Sequence, residues 1–122
     1  MSVDAARLVT EARNLLQRPD AMTDGIWPRA TAFLTRQALE LTLDDLWRRR
    51  APGVQQCSAR AQLLCLPTYL RGDENLAKRA SYAWGGLSRA CHQHAYELSP
   101  AASELQGWIE TVEELTNRVQ SS

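Results

Sequence analysis

Apolar residues recur at spacings of three and four along nearly the whole chain, and no stretch alternates long enough to make a strand. Ala5, Leu8, Val9, Ala12, Leu15 and Leu16 form the stripe of a first helix over about residues 3–17. Arg18-Pro19-Asp20 stops it, because proline disfavours helical geometry in the residue before it. A loop with Gly25 leads to Trp27-Pro28, where proline in the first helical turn forfeits no hydrogen bond. The second helix runs to about Arg50, near 35 Å at the α-helical rise. Its buried side is assigned to Ala30, Phe33, Leu34, Ala38, Leu41 and Leu46. Ala51-Pro52-Gly53 ends it, after three arginines that suit the negative end of the helix dipole.

A third helical segment spans about residues 56–70 with Leu63, Leu64, Leu66 and Leu70 inward, and Pro67 should kink or stop it near Leu66. Asp73 caps a fourth helix running from 74 to about 92 or 96, with Ala77, Ala80, Trp84, Leu87 and Cys91 inside. Gly85-Gly86 lies in its middle. Each glycine costs the helix about 1 kcal/mol, so a close helix crossing is the expected compensation. Ser99-Pro100 starts a fifth helix striped by Leu105, Trp108, Ile109, Val112, Leu115 and Val119. The expected fold is all-α: a bundle of four to five antiparallel helices joined by short loops.

Composition narrows the partners. Fourteen basic and fourteen acidic side chains cancel across 122 residues, so no broad basic surface advertises nucleic acid, and near-neutral charge favours self-association. Only Lys78 among the basic residues is lysine. Cys57, Cys65 and Cys91 are three, with no CxxC pair, which fits a reducing cytoplasm better than a disulfide framework. Charges at Asp4, Arg7, Glu11 and Arg13 interrupt any leader-like apolar stretch, and no long apolar run suggests a membrane span.

Reactive groups concentrate in one place. Arg89, Cys91, His92, His94, Tyr96 and Glu97 fall within nine positions and include both histidines of the chain. Imidazole gives and takes protons near neutrality, and guanidinium grips phosphate in a planar fork. Together they can cleave RNA without a metal. An imidazole handles the 2′-hydroxyl or leaving-oxygen proton, and the guanidinium stabilises charge developing on phosphorus. On a continuous helix Arg89, His92 and Tyr96 share a face, while His94 lies about 140° from Arg89. His94 can therefore work with Arg89 only if the helix loosens before it or if two chains share the site. Otherwise His92 is the geometric partner. Cys91, His92 and His94, with Cys57 or Cys65, match no zinc spacing. Tyr82 and Arg79, two and three turns earlier, could line the same groove. Arg36 and Glu40 form an i,i+4 surface pair, and Arg48 to Arg50 read as a charged helix end.

Arg89-Ala-Cys-His-Gln-His94-Ala-Tyr96, late in the fourth helix of an all-α chain, resembles the Arg-x4-His-x-Tyr motif of the HEPN superfamily. The resemblance implies that residues 1–122 make a single HEPN-like domain, a homodimer in the cytoplasm, with neither cofactor nor metal. It implies a metal-independent endoribonuclease of toxin type with Arg89 and His94 catalytic and His92 as the second histidine; by position alone, Tyr82 could line the groove and Glu97 could orient His94 or pair with Arg89. The products would be a 2′,3′-cyclic phosphate and a 5′-hydroxyl. It also implies a nucleotidyltransferase-type antitoxin as partner, adding AMP to Tyr96 as a control point. The alternative keeps the fold and drops the chemistry: a non-catalytic HEPN-like module that binds a partner protein or nucleotide. Ala90 follows the arginine where many active members carry Asn or Asp.

Overall fold

The computed structural model describes residues 2–17, 27–92 and 100–121. The elements are α1 (Ser2–Gln17), α2 (Trp27–Arg50), a short 3₁₀ turn (Pro52–Gln56), α3 (Ala59–Tyr69), α4 (Glu74–Cys91) and α5 (Ala102–Gln120). All five helices of the sequence reading are present, and no strand occurs among the described residues. No described helix is long and apolar enough to cross a membrane.

The long helices pair in definite directions. Asp73 meets Arg118, Arg79 meets Glu114, and Gly86 meets Trp108, so α4 runs antiparallel to α5. Arg29 reaches Cys91 while Arg36 reaches Trp84, so α4 is antiparallel to α2 as well. It follows that α2 and α5 run parallel, joined by the Thr42–Thr116 hydroxyl bond at 2.9 Å and by Arg49 on the Val119 carbonyl at 2.8 Å. α2 touches α1, α4 and α5, and α3 packs on α4 from the side.

Sequence and structure part company at three elements, α2, α3 and the start of α5. α2 buries Thr31, Ala32, Thr35, Ala38, Leu39, Thr42, Leu43, Leu46 and Trp47, whereas Phe33 and Leu41, assigned to its inner side, are exposed. The threonines hide this face from a hydrophobicity reading. Thr35 returns its hydroxyl to the Thr31 carbonyl at 2.7 Å, and Thr42 pairs with Thr116, so neither hydroxyl is left wanting. In α3 Leu64 points outward, and the helix continues a turn past Leu66 to Tyr69. Pro67 there forfeits the bond its N–H would have made to the Leu63 carbonyl and crowds that carbonyl with its ring, yet the helix runs on to Tyr69. α4 ends at Cys91 with His92 as its cap, in agreement with the nearer of the two expected ends, about 92. α5 begins at Ala102, where Glu104 accepts a bond from the Ala101 N–H at 3.0 Å; the expected Ser99 cap lies outside the described residues.

Other local signals act as read. Gly72 takes φ 78°, which a side chain would strain, and turns the chain into α4. Asp73 then accepts from the Leu76 N–H at 3.1 Å as the cap. The glycine pair separates into two roles. A Cβ on Gly86 would overlap the Trp108 indole, so this glycine permits the α4–α5 contact. A Cβ on Gly85 would meet only Arg89 Nη1 at 3.5 Å, an ordinary contact.

Two predictions follow from this packing. Gly85→Ala should stabilise the protein by up to about 1 kcal/mol through helix propensity. Gly86→Ala gains the same propensity but overpacks the crossing at a cost of about 1–3 kcal/mol, so thermal melts should move in opposite directions for the two variants. The second concerns Glu113. Two bonds from Arg13, at 2.9 and 3.0 Å, hold its carboxyl below the ordinary glutamate value. Because the folded value is depressed, this stabilisation is present above the unfolded value of about 4.3 and is lost as pH falls through the folded one. Glu113→Gln should therefore lower the melting temperature at neutral pH, and its deficit against the wild type should shrink in acid.

Candidate functional site

The last turn of α4 carries Arg89, His92 follows as its cap, and two arginines of α2, Arg29 and Arg36, reach this end. α4 is fixed at its start by Asp73, which Arg118 Nη1 also reaches at 3.2 Å, and in its second half by Trp108 against Gly86. Leu87 and Ala90 point into the core. The opposite side of the same turn therefore faces outward.

Arg89 is exposed and makes no hydrogen bond or ion pair with a described residue. Its guanidinium lies back over Gly85, where the missing Cβ gives it clearance. With no carboxylate among the described residues engaging it, this guanidinium can take an anion without first breaking a salt bridge to one of them. Ala90 is only 5% exposed, so a polar side chain there would be buried among α4 and α5 residues.

His92 is the residue after the helix, with φ −107° and ψ 22°, and its N–H donates to the Ser88 and Arg89 carbonyls at 3.2 Å each. Its exposed ring meets Arg36: Nη1 lies 3.4 Å from His92 Nε2. Guanidinium can only donate, so this contact is a hydrogen bond when Nε2 is the unprotonated nitrogen and the ring proton is on Nδ1. The same guanidinium lies 4.8 Å from the Trp84 ring centroid and 3.8 Å, through Nε, from Glu40 Oε2. Arg36 thus bridges three groups on two helices. Nearby, Arg29 Nε donates to the Cys91 carbonyl at 3.3 Å, one of the carbonyls a helix end leaves without a partner. Arg29, Arg36 and Arg89 together surround the end of α4 with positive charge.

Beside Trp84 a groove of about 440 Å³ opens between α2, α3 and α4. A second hollow, lined by Arg29, Ala30, Phe33 and Cys91, lies on the α2 side of the α4 end.

The expected site residues fare unequally. Arg89 and His92 share the outward face of one turn, as their spacing requires. Tyr82 is 70% exposed two turns earlier on that face and has no polar contact with another described residue. Arg79 does not line the site: it makes two 3.0 Å bonds to Glu114 and one of 2.7 Å to Asn75, clamping α4 to α5. His94, Tyr96 and Glu97 lie outside the described residues. Among the described residues no three His, Cys, Asp or Glu side chains gather as metal ligands. The three arginines at 48–50 are largely occupied: Arg48 and Arg49 pair with Asp44 and Asp45, and Arg50 lies over Tyr69.

Arg36 is the residue that sequence reasoning missed. It was read as half of a surface pair with Glu40, a pairing that exists but is loose. With α2 phased on its threonines, Arg36 falls at the edge of the buried stripe between Thr35 and Leu39. That position is the signal that could have found it.

Comparison of the chain with protein-family models, with curated proteins and with solved structures finds no match.

Proposed function

We propose that this protein is a metal-independent endoribonuclease whose site is the end of α4. One observation carries the reading: Arg89, exposed and without a hydrogen bond or ion pair to a described residue, lies three residues before an imidazole, His92, whose Nε2 faces the Arg36 guanidinium. The RNA phosphate would sit against Arg89, with the Nδ1–H of His92 donating to it. A nitrogen that already accepts from Arg36 cannot also take a substrate proton, so His92 positions the phosphate and the base role falls to His94. α4 ends at Cys91, and His94 lies outside the described residues.

The step is the displacement of one oxygen on phosphorus by another. His94 takes the proton of the substrate's 2′-hydroxyl, and the 2′-oxygen bonds to phosphorus. The bond to the 5′-oxygen breaks, and that oxygen leaves with a proton from the imidazolium. Arg89 stabilises the charge that builds on the equatorial oxygens. The chain's resemblance to HEPN ribonucleases supports this assignment and adds a homodimer to it, with the exposed Tyr82 on the face that carries Arg89. Where many active members have a polar residue, Ala90 is given over to the core, and Arg36 from α2 supplies polar contact to the site instead.

The test is cleavage of single-stranded RNA by the purified protein in excess EDTA. The wild type should cut to cyclic phosphate ends and leave 2′-deoxy oligomers intact. Arg89→Ala and His94→Ala should each lose roughly 10²- to 10⁴-fold in rate, the usual worth of such groups. His92→Ala should lose less. No cleavage across a broad RNA panel, or cleavage that survives Arg89→Ala, overturns the reading in favour of a non-catalytic module.

A further inference from the structure

The groove beside Trp84 is the larger question that the catalytic residues leave open. Its volume of about 440 Å³ is within the range of small-ligand sites, about 300–1,000 Å³. Not all of its polar walls are available. Asp44 spends one oxygen on Gln55 at 2.6 Å and the other on Arg48 at 2.7 Å. Gln62 accepts from the Trp47 indole at 3.0 Å and donates to the Cys57 carbonyl at 2.9 Å. These two hold the 3₁₀ turn and α3 in place.

Two groups remain. The Gln37 carboxamide makes no hydrogen bond with a described residue, and Glu40 has only the loose 3.8 Å contact with Arg36. They lie one turn apart on α2 and line the same groove as the half-buried Trp84. The groove therefore offers an aromatic wall, a carboxylate with two acceptor oxygens and an amide with a donor to spare. At its end the Arg36 guanidinium leads on to His92.

We infer that this groove is a nucleobase pocket and that it selects guanine. The inference rests on the RNA reading above and names its substrate preference. Unstacked RNA bases are held on aromatic and guanidinium planes and read along their Watson–Crick edges. Guanine alone among the four presents two adjacent donors, N1–H and N2–H, which match the two oxygens of Glu40, with O6 left to accept from Gln37. Adenine and cytosine would each turn a lone pair toward the carboxylate, and uracil offers a single donor between two acceptors. The base would pack against Trp84, and its phosphate would fall toward Arg36, His92 and Arg89.

The measurement is binding of GMP, IMP, AMP, CMP and UMP to the intact protein in EDTA, by calorimetry and by the shift of the Trp84 indole N–H signal. GMP should bind about tenfold to a hundredfold more tightly than AMP, CMP or UMP. IMP, which lacks the 2-amino group, should fall between. Glu40→Gln should abolish the preference while leaving the thermal melt unchanged, because the side chain is half exposed. Gln37→Ala should weaken GMP and IMP, which share O6, and leave AMP, CMP and UMP unchanged. Equal binding of all five, or no Trp84 shift, overturns the pocket without touching the ribonuclease reading, as does RNA cleavage with no preference at guanine. Selective GMP binding in a protein that cuts no RNA upholds the pocket and overturns the ribonuclease.

Discussion

The approach of α4 to α5 at Gly86 governs the cationic end of the molecule. The Trp108 indole occupies the space a side chain would need, and that contact fixes both the depth and the rotation of α4. Rotation then decides which residues face out. Leu87 and Ala90 go to the core, and Arg89 and His92 go to the surface, within reach of α2. Polar contacts reinforce the same placement from the other end. Arg118 reaches Asp73 at 3.2 Å and the Arg71 carbonyl at 2.9 Å, and Arg79 holds Glu114. Exposed pairs of this kind contribute little individually, about 0–1 kcal/mol, so the close crossing is the larger constraint.

Arg36 turns that placement into a site. Its guanidinium is sandwiched between an aromatic face and an imidazole, so the entropy of a long side chain is spent once for several contacts. The groove beside Trp84 and the helix end with Arg89 become neighbours through it. On the proposed reading, a ligand with a flat base and a charged phosphate would span the same two environments. The carboxylates near the groove do not cancel this arrangement, because Asp44 is engaged by Arg48 and Gln55 while Glu40 stands at the base end. The molecule has no net charge, yet it concentrates positive charge around one helix end.

Much of the fold was legible in the sequence. The α5 stripe from Leu105 to Val119 is buried as read, because aliphatic residues at helical spacing have no other use there. The Asp73 cap and the Gly86 crossing followed from local chemistry. The phase of α2 did not. Its core face carries Thr31, Thr35 and Thr42, which look polar in a sequence; Thr35 bonds a carbonyl one turn back and Thr42 a threonine on another helix, while the buried Thr31 hydroxyl has no partner among the described residues. Choosing Phe33 and Leu41 instead turned the helix and left Arg36 on the wrong side. Arg89 and His92 were legible because reactive groups cluster visibly along one stretch. Their contact with Arg36 was not, since it joins residues 56 positions apart and arises only when α2 and α4 cross.

The account turns on Arg36 gripping His92 through Nε2, which fixes the tautomer and divides labour between the histidines. Nitrogen-15 spectroscopy of the imidazole rings at a pH where both are neutral tests this directly, with His92 assigned by comparison with His92→Gln. The account predicts that Nε2 of His92 is the unprotonated nitrogen and Nδ1 carries the hydrogen, and that Arg36→Leu reverses the preference. A wild-type His92 protonated on Nε2, or one whose tautomer ignores Arg36→Leu, would contradict it.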